Sequence, residues 1–200
     1  LTIDEGTYLV SLARKSLEHY FKNFEAPFPD REDGVLGESR GVFVTLEEYP
    51  THELRGCIGY PLPTKPLAEA VVDNMINAAF EDPRFEPVLE QELPKIVIEV
   101  SVLTVPELIK VKSSSEFPNK VKVGEDGLIV KFGYNSGLLL PQVAPEQGWN
   151  SKEFLSHCCL KAGLPKDMWM SGNIAISKFQ AQIFSEEKPG GKVIEKKFYK

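Results

Sequence analysis

The sequence predicts an α+β fold, with a mainly antiparallel sheet flanked by helices and a second, smaller lobe. Three observations carry this expectation. Strand-like segments follow one another in runs, around 41–60, 121–140 and 175–187, with period-two alternation in 41–49 and 175–187, instead of alternating regularly with helices as a βαβ series does. Three other segments recur at three- and four-residue steps, the mark of an amphipathic helix. Short turns bearing glycine or proline separate several of the strands, as hairpins require.

Taken in order, the first element is a helix. Thr2 and Glu5 have capping-box spacing, and Leu9, Leu12, Ala13, Leu17, Tyr20, Phe21 and Phe24 then form one apolar stripe. Residues 26–38 are rich in Pro, Gly and acid and read as an irregular loop. Gly41 to Tyr49 alternates and is a strand; Pro50 to Glu53 turns the chain; Leu54 to Tyr60 is a second strand, so the two form a hairpin. Pro66 suits the first turn of a helix whose buried face is Leu67, Ala70, Val71, Met75, Ala78 and Ala79. Asp82-Pro83 ends it, because proline disfavours helical geometry in the residue before it.

Lys95 to Val105 is the longest strand candidate. Val121 to Val123, Leu128 to Phe132 and Leu138 to Leu140 read as a meander. Asn150 and Glu153 have capping-box spacing and open a helix that Gly163 closes, with Pro165 beyond. Ala175 to Glu187 alternates as one strand with a wet face, and the tail from Lys188 reads as polar and loosely held. The chain fits a single domain over 1–200, with a small lobe within about 110–135 and no linker to mark its boundary.

Composition narrows the function classes. The formal net charge is −6, and without a basic run the chain lacks the electrostatic term that drives nucleic-acid binding. The longest apolar runs are a few residues, far short of a membrane span, and three cysteines, two of them adjacent, make no disulfide framework. A reducing cytoplasm is the expected location. No Walker loop, dinucleotide-binding glycine fingerprint or zinc-type spacing occurs, so neither metal nor cofactor is implied.

The segment Leu54-Arg55-Gly56-Cys57-Ile58-Gly59 is where chemistry is expected. In an extended strand Arg55 and Cys57 share a face with Cα atoms about 6.6 Å apart. A guanidinium near a thiol favours the thiolate, the reactive form. The plainer reading is packing: cysteine is among the most buried residue types, and glycines make room. Asp82 and Arg84 beside Pro83 form a rigid charged loop, either functional or a turn-stabilising pair. Glu99 and Ser101 share one face of an otherwise apolar strand, and a buried carboxylate there needs a partner such as Arg55 or Arg84. His19, His52 and His157 are scattered; Cys158 and Cys159 fit the packed face of their helix.

The run LRGCIG also resembles the hallmark of the AMMECR-domain family. Similar blocks flank it in order: Gly41 to Leu46, Asp82 to Phe85, Ile98 to Leu103, Gly137 to Val143, Glu146 to Trp149 and Lys161 to Leu164. The resemblance covers about Leu9 to Ser185 and is nearest to stand-alone archaeal members. It implies a two-lobed α+β protein whose motif faces an interior cleft, and a family without a settled reaction. It also implies a pathway shared with Memo-type proteins and a radical S-adenosylmethionine enzyme. The family positions carried over include Arg55, Gly56, Cys57, Gly59, Asp82, Arg84, Glu99, Ser101, Pro141, Glu146 and Trp149.

Two function classes follow. In the first, an enzyme or an accessory to one, Cys57, Arg55 and Glu99 are catalytic, while Arg84, Asp82, Ser101, Glu146 and Trp149 hold substrate. In the second, a binding module presents the same cleft to a small anionic ligand or a partner protein, with Cys57 merely small and apolar.

Overall fold

A computed structural model describes residues 1–196. In chain order the elements are α1 (Ile3–Asn23), β1 (Val42–Glu48), β2 (Glu53–Tyr60), α2 (Leu67–Phe80), β3 (Ile96–Leu103), β4 (Glu107–Leu108), α3 (Phe117–Lys120), β5 (Gly127–Phe132), β6 (Asn135–Leu139), α4 (Val143–Glu146), α5 (Ser151–Lys161), β7 (Ala175–Phe179), β8 (Ala181–Glu186) and β9 (Val193–Lys196). The fold is α+β, with two antiparallel sheets flanked by helices. The chain divides into two compact units, one of residues 1–103 with the return from Gln182, the other of residues 104–181.

The first unit is a five-stranded sheet in the order β2-β1-β3-β8-β9. The Thr2 hydroxyl accepts from Glu5 N–H and the Glu5 carboxylate accepts from Thr2 N–H, the reciprocal box that starts α1. Val42, Val44 and Leu46 of β1 and Ile98 and Val100 of β3 are buried against Leu9, Ala13 and Leu17 of α1 and Ala70, Val71 and Met75 of α2. Each Val, Leu, Ile or Met side chain among them contributes roughly 1.5–3 kcal/mol when fully buried. The alternate residues of β1, Phe43, Thr45 and Glu47, project from the opposite face and are half-buried. That face is where polar side chains gather.

The second unit is a four-stranded sheet in the order β4-β7-β5-β6. Leu128 and Val130 of β5 and Ile176 of β7 pack with Phe154, Leu155 and Cys158 of α5. Asn150 caps α5 as its spacing predicts, and Gly163 follows it at φ 72.

Four expectations are corrected. The second unit is wider than the 110–135 lobe. Residues 175–187 are two strands in two different sheets, broken at Gln180, whose N–H and carbonyl both bond Thr104 (2.9 Å each). Side-chain alternation continues across such a junction and does not register it. Val121 to Val123 is not a strand: Lys122 N–H is taken by the Asp126 carboxylate at 2.9 Å, and Val123 makes only an isolated bridge. The tail contains β9, paired with β8 and burying Val193. Residues 197–200 of that tail lie outside the described residues. Among the described residues no helix is long and apolar enough to cross a membrane.

Candidate functional site

Gly56 positions the motif. A Cβ there would lie 2.2 Å from the Ala78 carbonyl oxygen, so only glycine lets α2 pack this closely on β2. Gly59 likewise lies under the Phe43 ring, which a Cβ at this position would approach to 2.3 Å. Between them, Cys57 pairs with Thr45 of β1, and Thr45 pairs on its other side with Glu99 of β3. Cys57, Thr45 and Glu99 therefore form one row across three strands on the helix-free face.

Cys57 sits on the edge strand, and its backbone N–H and carbonyl point away from β1. Both are capped by the loop that ends α2. Cys57 N–H donates to Asp82 Oδ2 at 2.8 Å, and Arg84 Nη2 donates to Cys57 O at 3.1 Å. Asp82 in turn accepts from Arg84 Nε (2.9 Å), Nη2 (2.7 Å) and backbone N–H (3.1 Å). The Asp82 side chain is 2% exposed and that of Arg84 is 54% exposed. Unpaired strand edges need such a cover. Asp82 is held well below the usual carboxylate range, first by the Arg84 side chain and then by backbone donors, against the opposing effect of burial.

Because Cys57 and Thr45 are a pair without mutual ladder bonds, their side chains come close. Thr45 Oγ1 donates to Cys57 Sγ at 3.3 Å. Burial pushes the thiol above its ordinary value; the Thr45 bond and the Arg84 charge oppose this in part, while Asp82 and Glu99 add to it. The net push is upward, which disfavours the thiolate.

Arg55 does not join this group. The register slips between Leu46 and Glu47, leaving Arg55 as the extra residue of a β-bulge. It is re-aimed to Glu92, with Nε–Oε1 at 2.9 Å and Nη2–Oε2 at 3.2 Å. The expected partnership of Arg55 with Glu99 is thus not formed, and the guanidinium acting on the thiol belongs to Arg84. Arg55 and Arg84 instead flank the Phe85 ring, at 6.0 and 5.5 Å from its centroid.

Glu99 pairs with Lys196 of β9 at 2.7 Å, and Lys196 also reaches Glu47 at 3.7 Å. Glu47 bonds His52 Nδ1 at 2.8 Å. Burial raises Glu99, and the Lys196 ammonium only partly offsets this. Burial lowers Lys196, but the carboxylates of Glu99 and Glu47 outweigh it, so its net shift is upward.

Ser101 is buried on the same face, opposite Phe43. Glu146 and Trp149 belong to the second unit: Glu146 is exposed at the end of α4, and Trp149 stacks on His157 with centroids 3.7 Å apart and planes 3° from parallel. Cys158 and Cys159 are buried in the core of that unit. Thr45, Glu92 and Lys196 were not anticipated. The alternation of β1 carried a signal for Thr45, since it sets Thr45 apart from the buried Val44 and Leu46. Glu92 and Lys196 carried none. Among the described residues no group of three or more His, Cys, Asp or Glu is placed to hold a metal ion.

The fold and site define an α+β protein of two units whose edge strand carries a capped cysteine. The AMMECR1 family model matches residues 10–184, and the chain belongs to the AMMECR1 family. It is 51% identical to Protein MJ0810 of Methanocaldococcus jannaschii over 98% of both chains, and 52% identical to Protein MK0488 of Methanopyrus kandleri over 98% of this chain and 95% of that one. Its structure is similar to the crystal structure of the uncharacterized protein PH0010 from Pyrococcus horikoshii, with a TM-score of 0.85 and 49% identity over 96% of each chain.

Proposed function

We propose that the Cys57 face of β2 is a binding site for a small anion, with Arg84 meeting the negative charge and Cys57 contributing a neutral thiol to the wall. The observation that carries this reading is the state of Arg84. Its guanidinium is pinned by Asp82 and by the Cys57 carbonyl, yet 54% of the side chain is exposed. A guanidinium fixed in advance loses little freedom on binding a carboxylate or phosphate. Arg55, 11% exposed and engaged by Glu92, is the weaker candidate for that role. In this reading the Memo-type and radical S-adenosylmethionine proteins implied by the family resemblance would deliver or take up such an anion.

Calorimetric titration with inorganic phosphate and with acetate at low ionic strength tests it. Arg84→Gln should weaken binding about tenfold or more, the worth of one charge-assisted hydrogen bond. Cys57→Ala should leave it unchanged. Equal binding by the Arg84 variant removes the proposal.

A second reading makes Cys57 a nucleophile with Glu99 as its acid–base partner, and the row Cys57–Thr45–Glu99 favours it. The upward push on the thiol weighs against it, because the thiolate is the attacking form.

A further inference from the structure

The four-stranded sheet of the second unit leaves a notch at the start of β7. On one side, Ile109 N–H still bonds Ile176 O at 2.8 Å, so the chain leaving β4 runs alongside β7. On the other side Lys131 of β5 pairs with Ala175. Gly172, at φ 73, turns the chain into the strand. A cavity of about 590 Å³ occupies the notch, within the roughly 300–1,000 Å³ span of small-molecule sites.

Its lining has two chemistries. Leu108, Val111, Phe132 and Ile174 make an apolar wall, and Leu108 and Phe132 are 55% and 38% exposed. Lys110, two residues past β4, and Lys131 of β5 also line it. Among the described residues no Asp or Glu lines the cavity and neither lysine has a carboxylate within 4.0 Å. The chain holds 29 acidic residues against 23 basic ones, and here two lysines and no acid line one hollow that is part polar and part apolar. Such a hollow has the complement of a negative group on a hydrophobic body.

We propose that this notch binds a small amphipathic carboxylate, its apolar body against Leu108, Val111, Phe132 and Ile174 and its charge toward Lys110 and Lys131. The site shares no residue with the Arg84 site, and either one stands if the other fails.

The probe is 1-anilinonaphthalene-8-sulfonate, which joins an anionic group to an aromatic body and fluoresces in apolar surroundings. The full chain is titrated with it in native buffer, then with octanoate as competitor. The native protein should bind the dye, octanoate should displace it, and added salt should weaken both. The double variant Lys110→Ala/Lys131→Ala should lose about tenfold or more in dye affinity with an unchanged circular dichroism spectrum, since both side chains are exposed. The same titrations are run in Arg84→Gln, where dye held at Arg84 is lost and the binding that remains should still depend on Lys110 and Lys131; remaining binding indifferent to both lysines overturns the proposal. Absence of native dye binding, failure of octanoate to compete, or equal binding by the lysine variant overturns the proposal. A second variant, Phe132→Asp, should abolish binding by placing a like charge in the wall, and retained binding there overturns it too.

Discussion

Replacing Asp82 with alanine tests the clamp that holds the edge strand of the site. Its carboxylate, 2% exposed, is the acceptor for Cys57 N–H, Arg84 N–H and the Arg84 guanidinium. Removing it orphans the Cys57 donor, at a cost of about 1–3 kcal/mol. The lost ion pair adds less than the roughly 3–5 kcal/mol of a fully buried one, because Arg84 is half in water and regains hydration. The sum is a destabilisation of about 2–4 kcal/mol. Arg84→Ala should cost about 1–3 kcal/mol, since Asp82 keeps two backbone donors. The order of the two variants is diagnostic, because a guanidinium acting as the anchor would reverse it.

The pH dependence has a definite sign. A carboxyl depressed in the folded state stabilises the fold above its unfolded value, about 3.9, and that contribution is withdrawn as the pH falls through the folded value. Stability of the unmodified chain should therefore fall below about pH 4, and less steeply in Asp82→Ala. The measurement is urea unfolding followed by far-ultraviolet circular dichroism. Tryptophan fluorescence reports elsewhere, since Trp149 and Trp169 both lie in the second unit. A change under about 0.5 kcal/mol for Asp82→Ala, or a larger loss for Arg84→Ala, refutes the reasoning.

Three other perturbations have defined outcomes. Gly56→Ala should destabilise by about 1–3 kcal/mol or more, because the new Cβ meets the Ala78 carbonyl of α2; an unchanged melting temperature would show that α2 yields. Iodoacetamide labelling of Cys57 should accelerate only above the pH where an ordinary thiol ionises, and Thr45→Val should move the profile further up; a rate that saturates below neutrality would restore the nucleophile. In Lys196→Met, Glu99 loses its cation and rises further, so stability should decline as the pH climbs above the unfolded glutamate value of about 4.3. A flat profile there, or a Glu99→Gln/Lys196→Met cycle with coupling under about 0.5 kcal/mol, would mean that the pair contributes nothing.

What was legible in the sequence was local. Thr2–Glu5 and Asn150–Glu153 announced the starts of α1 and α5, alternation located β1, and the length and apolar character of their segments located β2 and β3, because caps, side-chain periods and run lengths are short-range rules. The change of sheet at Gln180 was not legible, since Thr104, the residue that breaks the strand there, lies 76 positions away. The bulge at Arg55 was invisible for a related reason. It is a mismatch between two strands, and without it the rule that alternate residues share a face would have set Arg55 beside Cys57. Lys196 reaches Glu99 only through a strand pairing that a four-residue segment does not advertise.

Most residues of the motif have a structural reason for their identity. Gly56 and Gly59 admit close neighbours, Arg55 fills a bulge, and Asp82 with Arg84 covers an edge. The Cys57 sulfur accepts the Thr45 hydroxyl, a bond that a serine oxygen can accept as well. The cover itself bears on what binds here. A partner adding a strand to β2 needs the outward N–H and carbonyl of Cys57, the two groups already engaged by Asp82 and Arg84. Strand addition at that position must first break both bonds and expose a buried carboxylate. A ligand that meets the guanidinium from its exposed side breaks neither, and so the edge of this sheet favours a small anion over a docked peptide.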